Sequence, residues 1–341
     1  MKKTLALLLA AALCLSLGAC AAPSDSSAVP NQSMEEETPS AQEVDLEPVT
    51  ITTYDAAGNP VETTYDTVPQ RVVAVYQGCI ETMIALGLED HVIASYGLDN
   101  EVKEEWQDGL AKMNYQTEPF APDKETAALL QPDLIFSWGS LFGEKMLGDV
   151  PGWMEKGTNT YMNTNTRPGG SRTLENEYTD LLNIGEIFRV EDRAQALVDK
   201  MKAEIQSTLD AVAGKEPVRV AIIEPISDSI TNYGANSLAG DMVTALGGEL
   251  AIPDAGKIGK EDLLAADPEV IFVVYMAYRG DDPESVRQSQ LAVLTENPGL
   301  RSLSAVQNDR LPLIMLGDMY ASGPRTLDGI RAFAAGMYPE N

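Results

Sequence analysis

Histidine is nearly absent from this chain: His91 is the only one in 341 residues, and cysteine occurs three times. That scarcity excludes whole classes of chemistry. A histidine-rich zinc or manganese centre is ruled out, and so is a cysteine-ligated cluster. A Ser-His-Asp triad would have to be built on His91, and no nucleophile-elbow sequence accompanies it. His91 lies in Leu88-Glu89-Asp90-His91-Val92-Ile93 and reads as a surface turn residue entering a strand. No catalytic set, metal site or cofactor is therefore expected. Basic residues are also scarce: 24 Lys and Arg face 52 Asp and Glu, for a net charge of −28. Such a balance opposes nucleic acid and anionic headgroups, though a small basic pocket is compatible with an acidic body.

Long apolar runs are confined to the start. Met1-Lys2-Lys3 precedes an apolar run from Leu5 to Leu17, then Leu17-Gly18-Ala19-Cys20. A basic beginning, a short apolar core and small residues before a cysteine describe a lipoprotein signal over residues 1–19, cut before Cys20. Cys20 would carry the lipid and hold an exported protein on the extracytoplasmic side of the membrane. Cys14 leaves with the signal, so Cys79 remains without an intramolecular partner. Residues 20–48 are rich in Ser, Pro, Ala and Glu with little to bury, and read as a disordered tether.

The body repeats itself once. Lys124-Glu125-Thr126-Ala127-Ala128-Leu129-Leu130-Gln131-Pro132-Asp133-Leu134-Ile135-Phe136 is echoed by Lys260-Glu261-Asp262-Leu263-Leu264-Ala265-Ala266-Asp267-Pro268-Glu269-Val270-Ile271-Phe272. Each is a short helix stopped by proline, then a buried strand. Upstream, Glu81-Thr82-Met83-Ile84-Ala85-Leu86-Gly87 is matched by Asp241-Met242-Val243-Thr244-Ala245-Leu246-Gly247. The repeat implies two lobes of like build. A hairpin over Val49–Tyr65 opens an N-terminal lobe, 49–172, whose strands and helices alternate and predict a parallel sheet covered on both faces. Residues 158–172 read as a loop. Residues 173–214 carry linking helices with Thr173 as a cap, and the helix at about 191–213 is the strut between lobes. Residues 215–341 repeat the alternation. The fold class is α/β: two lobes with parallel-rich sheets flanked by helices, joined by one long interdomain helix.

In this order (lipobox, acidic tether, Pro69-Gln70-Arg71-Val72-Val73, the Glu125 and Glu261 segments, the long helix, Gly323-Pro324-Arg325-Thr326-Leu327 and Met337-Tyr338-Pro339) the chain resembles the iron-complex and cobalamin substrate-binding lipoproteins of ABC importers, which have the type III binding-protein fold. The resemblance covers about residues 49–339. It implies a monomer that captures a small molecule, a ferric siderophore first and haem or a corrinoid as the alternative. The complex would be delivered to an ABC permease powered by its ATPase. It further implies that Glu125 and Glu261, one per lobe, dock on the permease. A non-transport surface sensor or an exported enzyme is the lesser reading.

Ligands of open α/β sheets lie beyond the carboxyl ends of the strands. Those ends carry Tyr76, Tyr96, Trp138, Tyr233, Tyr275, Tyr278, Arg279 and Tyr320. Aromatic faces suit flat or catecholate ligands, and arginine forks suit carboxylate or phenolate oxygens. The expected cleft residues are Tyr76, Trp138, Arg279 and Tyr320, joined by Arg172 and Arg325. Met276 is read as core, and Tyr320 or Tyr278 as the tyrosinate a haem would need.

Overall fold

The computed structural model describes residues 47–226, 229–277 and 281–339. The expected signal, Cys20 and the tether before residue 47 lie outside the described residues, as do Tyr278 and Arg279.

The N-terminal lobe begins with an antiparallel hairpin, β1 (Val49–Tyr54) and β2 (Pro60–Tyr65). Next come β3 (Val72–Val75), α1 (Gln77–Ala85), β4 (Val92–Tyr96), α2 (Gln107–Lys112), β5 (Tyr115–Gln116), α3 (Lys124–Leu129) and β6 (Leu134–Ser137). The lobe closes with α4 (Val150–Met154) and β7 (Asn159–Met162). Its sheet runs β5-β4-β3-β6-β7, parallel throughout. Every residue of β3 and β6 is buried, the signature of central parallel strands covered on both faces.

One expectation is corrected here. The segment read as a loop over 158–172 contains β7, paired in register with β6 and buried beneath the hairpin, where the Met162 amide donates to Thr53 Oγ1 at 3.0 Å. Asn-Thr-Tyr-Met has too few apolar residues to announce a strand. It is buried because β1 covers it.

Two helices link the lobes: α5 (Leu174–Phe188) and, after a left-handed turn at Arg189, α6 (Glu191–Val212). The 22 residues of α6 span about 33 Å at 1.5 Å per residue. The expected strut is present, and α5 packs along it. Leu174, Tyr178 and Leu181 of α5 enter the C-terminal core with Met242, Phe272 and Phe333. Ile184, Ile187 and Phe188 enter the N-terminal core with Val72, Ile80 and Phe136.

The C-terminal lobe contains β8 (Arg219–Ile226), β9 (Ser229–Asn232), α7 (Leu238–Ala245), β10 (Glu249–Leu250), β11 (Gly256–Ile258), α8 (Lys260–Ala266) and β12 (Val270–Tyr275). It ends with α9 (Pro283–Thr295), α10 (Ser304–Gln307), β13 (Leu313–Met315) and α11 (Thr326–Met337). The order is β11-β9-β8-β12-β13, with β10 beside β8. β9 is antiparallel to β8 and to β11, and β12 is parallel to both β8 and β13. The internal repeat is thus structural: α3–Pro132–β6 and α8–Pro268–β12 occupy like positions beside β3 and β8. Gly87 and Gly247 close the two echoed helices α1 and α7 at φ 68° and 81°, where a side chain would be strained.

Candidate ligand-binding cleft

The strands end in aromatic residues, and the topology brings those ends together. Tyr76 comes directly after β3 and holds φ 88°, ψ 153° before α1 begins. A tyrosine there costs on the order of 1–3 kcal/mol, and the conformation sets its ring 3.5 Å, centroid to centroid, from Trp138 at the end of β6. Trp138 in turn lies 5.6 Å from Tyr320 of the opposite lobe, and Tyr320 lies 6.4 Å from Tyr233. Phe120 meets the edge of Tyr76 at 6.0 Å and is 44% exposed. Five rings therefore form a row across the gap between the lobes. The Arg172 guanidinium stands 4.3 Å over the ring of Tyr320, a cation–π contact that leaves the fork's edge for oxygen acceptors. The buried indole N–H of Trp138 has no acceptor among the described residues.

Carboxylates flank the row. The Tyr233 hydroxyl donates to Glu224 at 2.8 Å; burial, then that carboxylate, push the Tyr233 phenol far above its ordinary range. Desolvation raises Asp99, against a hydrogen bond from Tyr76. Beside the row is a crevice of about 10 Å³, water-sized, lined by Tyr76, Asn100, Met276 and Tyr320. A chamber of about 570 Å³ lies on the other side of Asn100, within the size range of small-molecule sites.

Tyr76, Trp138, Tyr320 and Arg172 are thus brought together. Arg279 lies outside the described residues. Arg325 is placed differently. It is 5% exposed, and its Nε and Nη2 donate to the two oxygens of Glu81 at 2.6 and 2.7 Å, with Nη2 also on the Glu101 carbonyl at 2.9 Å. Its fork is taken up by Glu81 on α1 of the other lobe, and the residue also lines the chamber. Met276, read as core, is half-buried and lines the crevice instead. Tyr96 and Tyr275 are largely buried at their strand ends. His91 is half-buried: its Nδ1 is 2.7 Å from the Pro69 carbonyl and its ring meets Phe188 edge-on. Sequence reasoning missed Phe120, which stands directly after no strand, and the chamber, which no contiguous segment forms.

Glu125 and Glu261 are exposed and occupy the second residue of α3 and of α8. The Asp123 side chain caps α3 by accepting from the Thr126 amide at 2.7 Å. The Asp262 carboxylate accepts from the Gly259 amide at 2.8 Å at the start of α8. The glutamates are therefore not needed as caps.

Known proteins are similar to this chain in sequence and in fold. The model of a family described as periplasmic binding protein matches residues 72–314. The chain is 23% identical over 342 residues to the ABC transporter substrate-binding lipoprotein YvrC of Bacillus subtilis (strain 168), a match covering 98% of this chain and 96% of YvrC. A solved periplasmic binding protein from Veillonella parvula superposes with TM-score 0.79 at 30% identity, covering 86% of this chain and 92% of that one. The catecholate-siderophore binding protein VctP of Vibrio cholerae superposes with TM-score 0.63 at 19% identity, over 86% of this chain and all (100%) of that one.

Proposed function

The chain belongs to the periplasmic binding protein family, and on that premise we propose that it is the substrate-binding lipoprotein of an ABC importer, capturing an iron complex between its lobes. The observation that carries the reading is the row Tyr76–Trp138–Tyr320 spanning the two lobes, with Arg172 set on its end. Such a row offers flat π surfaces to catecholate or similarly planar groups, and the guanidinium offers donors to anionic oxygens. Haem, with its planar ring and two carboxylates, suits the same features and is the second reading, with Tyr320 its tyrosinate. The lipid on Cys20 and the docking of Glu125 and Glu261 on the permease complete the proposal.

Trp138 supplies the test. Fluorescence of the mature protein is titrated with a ferric catecholate, a ferric hydroxamate, haemin and cobalamin, in the native form and in Trp138→Phe. Saturable quenching by an iron chelate or haemin, diminished in the variant, is the expected result. Binding of cobalamin alone, or of none of them, overturns the iron-complex reading.

A further inference from the structure

The chamber beside the aromatic row has its own chemistry. Its wall mixes apolar and polar groups, with Leu98, Val102 and Leu110 of the N-terminal lobe and Tyr275 and Met315 of the C-terminal lobe supplying apolar surface. Arg287, on the first turns of α9, also faces it. Arg287 Nη2 donates to the Tyr275 hydroxyl at 2.8 Å, and the guanidinium lies 4.8 Å from the Tyr275 ring. Its Nη1 edge meets Glu284 at 3.7 Å, beyond hydrogen-bond range. The guanidinium is thus steadied on an aromatic ring and paired only at long range, across a partly exposed gap, with Glu284. Arg325, the other arginine on the wall among the described residues, is spent on Glu81. Glu101 and Asp281 are the acidic residues on the wall among the described residues. Asn100 borders both this chamber and the crevice beside Tyr76 and Tyr320, so the two spaces adjoin.

We propose that the chamber is a subsite for a pendant arm of the captured chelate, an apolar chain ending in a carboxylate that pairs with Arg287, while the metal-bearing head lies against the aromatic row. The inference rests on the cleft reading above. Apolar surface of this kind recovers free energy from a hydrocarbon chain and gives nothing to a charged one. A guanidinium at the far side fixes the chain's end by paired donors.

The test uses ligands that share one metal centre and differ only in the arm. Linear ferric tris-hydroxamates whose terminal amine is free, acetylated or succinylated form one set, and haemin with its dimethyl ester forms another. Affinities are measured by titration calorimetry with the mature protein and with Arg287→Gln. In whichever set binds, the carboxylate-bearing member is expected to bind roughly ten-fold tighter or more, the advantage of a hydrogen bond to a charged group. Arg287→Gln should erase that advantage and leave the neutral member unchanged. Equal affinities within a set, preference for the free amine, or equal weakening of both members by Arg287→Gln each overturn the subsite while leaving the cleft reading standing. Absence of binding by every ligand overturns the subsite, and the cleft reading falls with it when the ferric catecholate also fails to quench Trp138.

Discussion

Arg325 and Glu81 form a bidentate ion pair, 2.6 and 2.7 Å, with both side chains almost wholly buried and the partners on opposite lobes. Around it the backbones nearly touch: a Cβ on Gly78 would stand 2.7 Å from the Ala321 carbonyl oxygen, and one on Gly323 would stand 3.0 Å from the Gly78 carbonyl oxygen. Removing one member leaves the other charge buried and unpaired, at a cost of about 3–5 kcal/mol. Arg325→Leu is therefore expected to lower the urea midpoint sharply, and the double variant Glu81→Leu/Arg325→Leu to recover part of the loss. A single variant with unchanged midpoint would show the pair to be dispensable.

The backbone of Tyr76 separates strain from ring. At φ 88° glycine is more comfortable than alanine, by about 1 kcal/mol. Tyr76→Gly should hence be more stable to urea than Tyr76→Ala, although both lose the same ring. Both should bind the iron complex more weakly than the native protein. The reverse order of stability would mean that the local conformation is not strained.

Buried acids set a dependence on pH. Burial, then repulsion from Asp180, pushes Glu177 up to about 8 against donations from Asn165, Gly323 and Thr326. Burial pushes Asp180 up to about 7 against Thr164 and Tyr161. Both values lie above those of an unfolded chain, so the folded state holds protons more tightly. This contribution is fully present below about pH 4 and is lost as pH rises through 7 to 8, by at most about 1.4 kcal/mol per pH unit for each group. Asp180→Asn should flatten the fall in urea midpoint between pH 5 and 7, since the Thr164 and Tyr161 hydroxyls that now donate to Asp180 are able to accept instead. An undiminished slope in that variant would assign the effect to other groups.

Glu125 and Glu261 give a prediction about transport. Exposed charges are worth about 0.2–1 kcal/mol each, so reversing both should leave folding and ligand affinity intact. Uptake of the iron complex by cells carrying Glu125→Arg/Glu261→Arg is expected to fall strongly, and ordinary uptake would remove the glutamates from docking.

Much of this architecture is legible in the sequence because proline and apolar runs act locally. Pro132 and Pro268 stop α3 and α8 wherever they lie in space, and Leu134–Phe136 and Val270–Phe272 have too little polarity to be anything but buried strands. Tyr76, Trp138 and Tyr320 are legible as aromatic residues at or near the carboxyl ends of apolar runs. The rest depends on distant partners. β7 is a strand only because β6 and the hairpin flank it, and Arg325 is paired only because α1, some 240 residues earlier, presents Glu81. The echoed acids of the two upstream segments are visible in the sequence, but their use is not: Glu81 holds Arg325, and Asp241 accepts from the Leu174 amide at 2.7 Å.

Because α5 contributes residues to one hydrophobic core of each lobe, neither half can melt while the other keeps its interior sealed. Heating should give one calorimetric transition for residues 47–339 instead of two, and a fragment ending before α5 should fail to hold its interior dry.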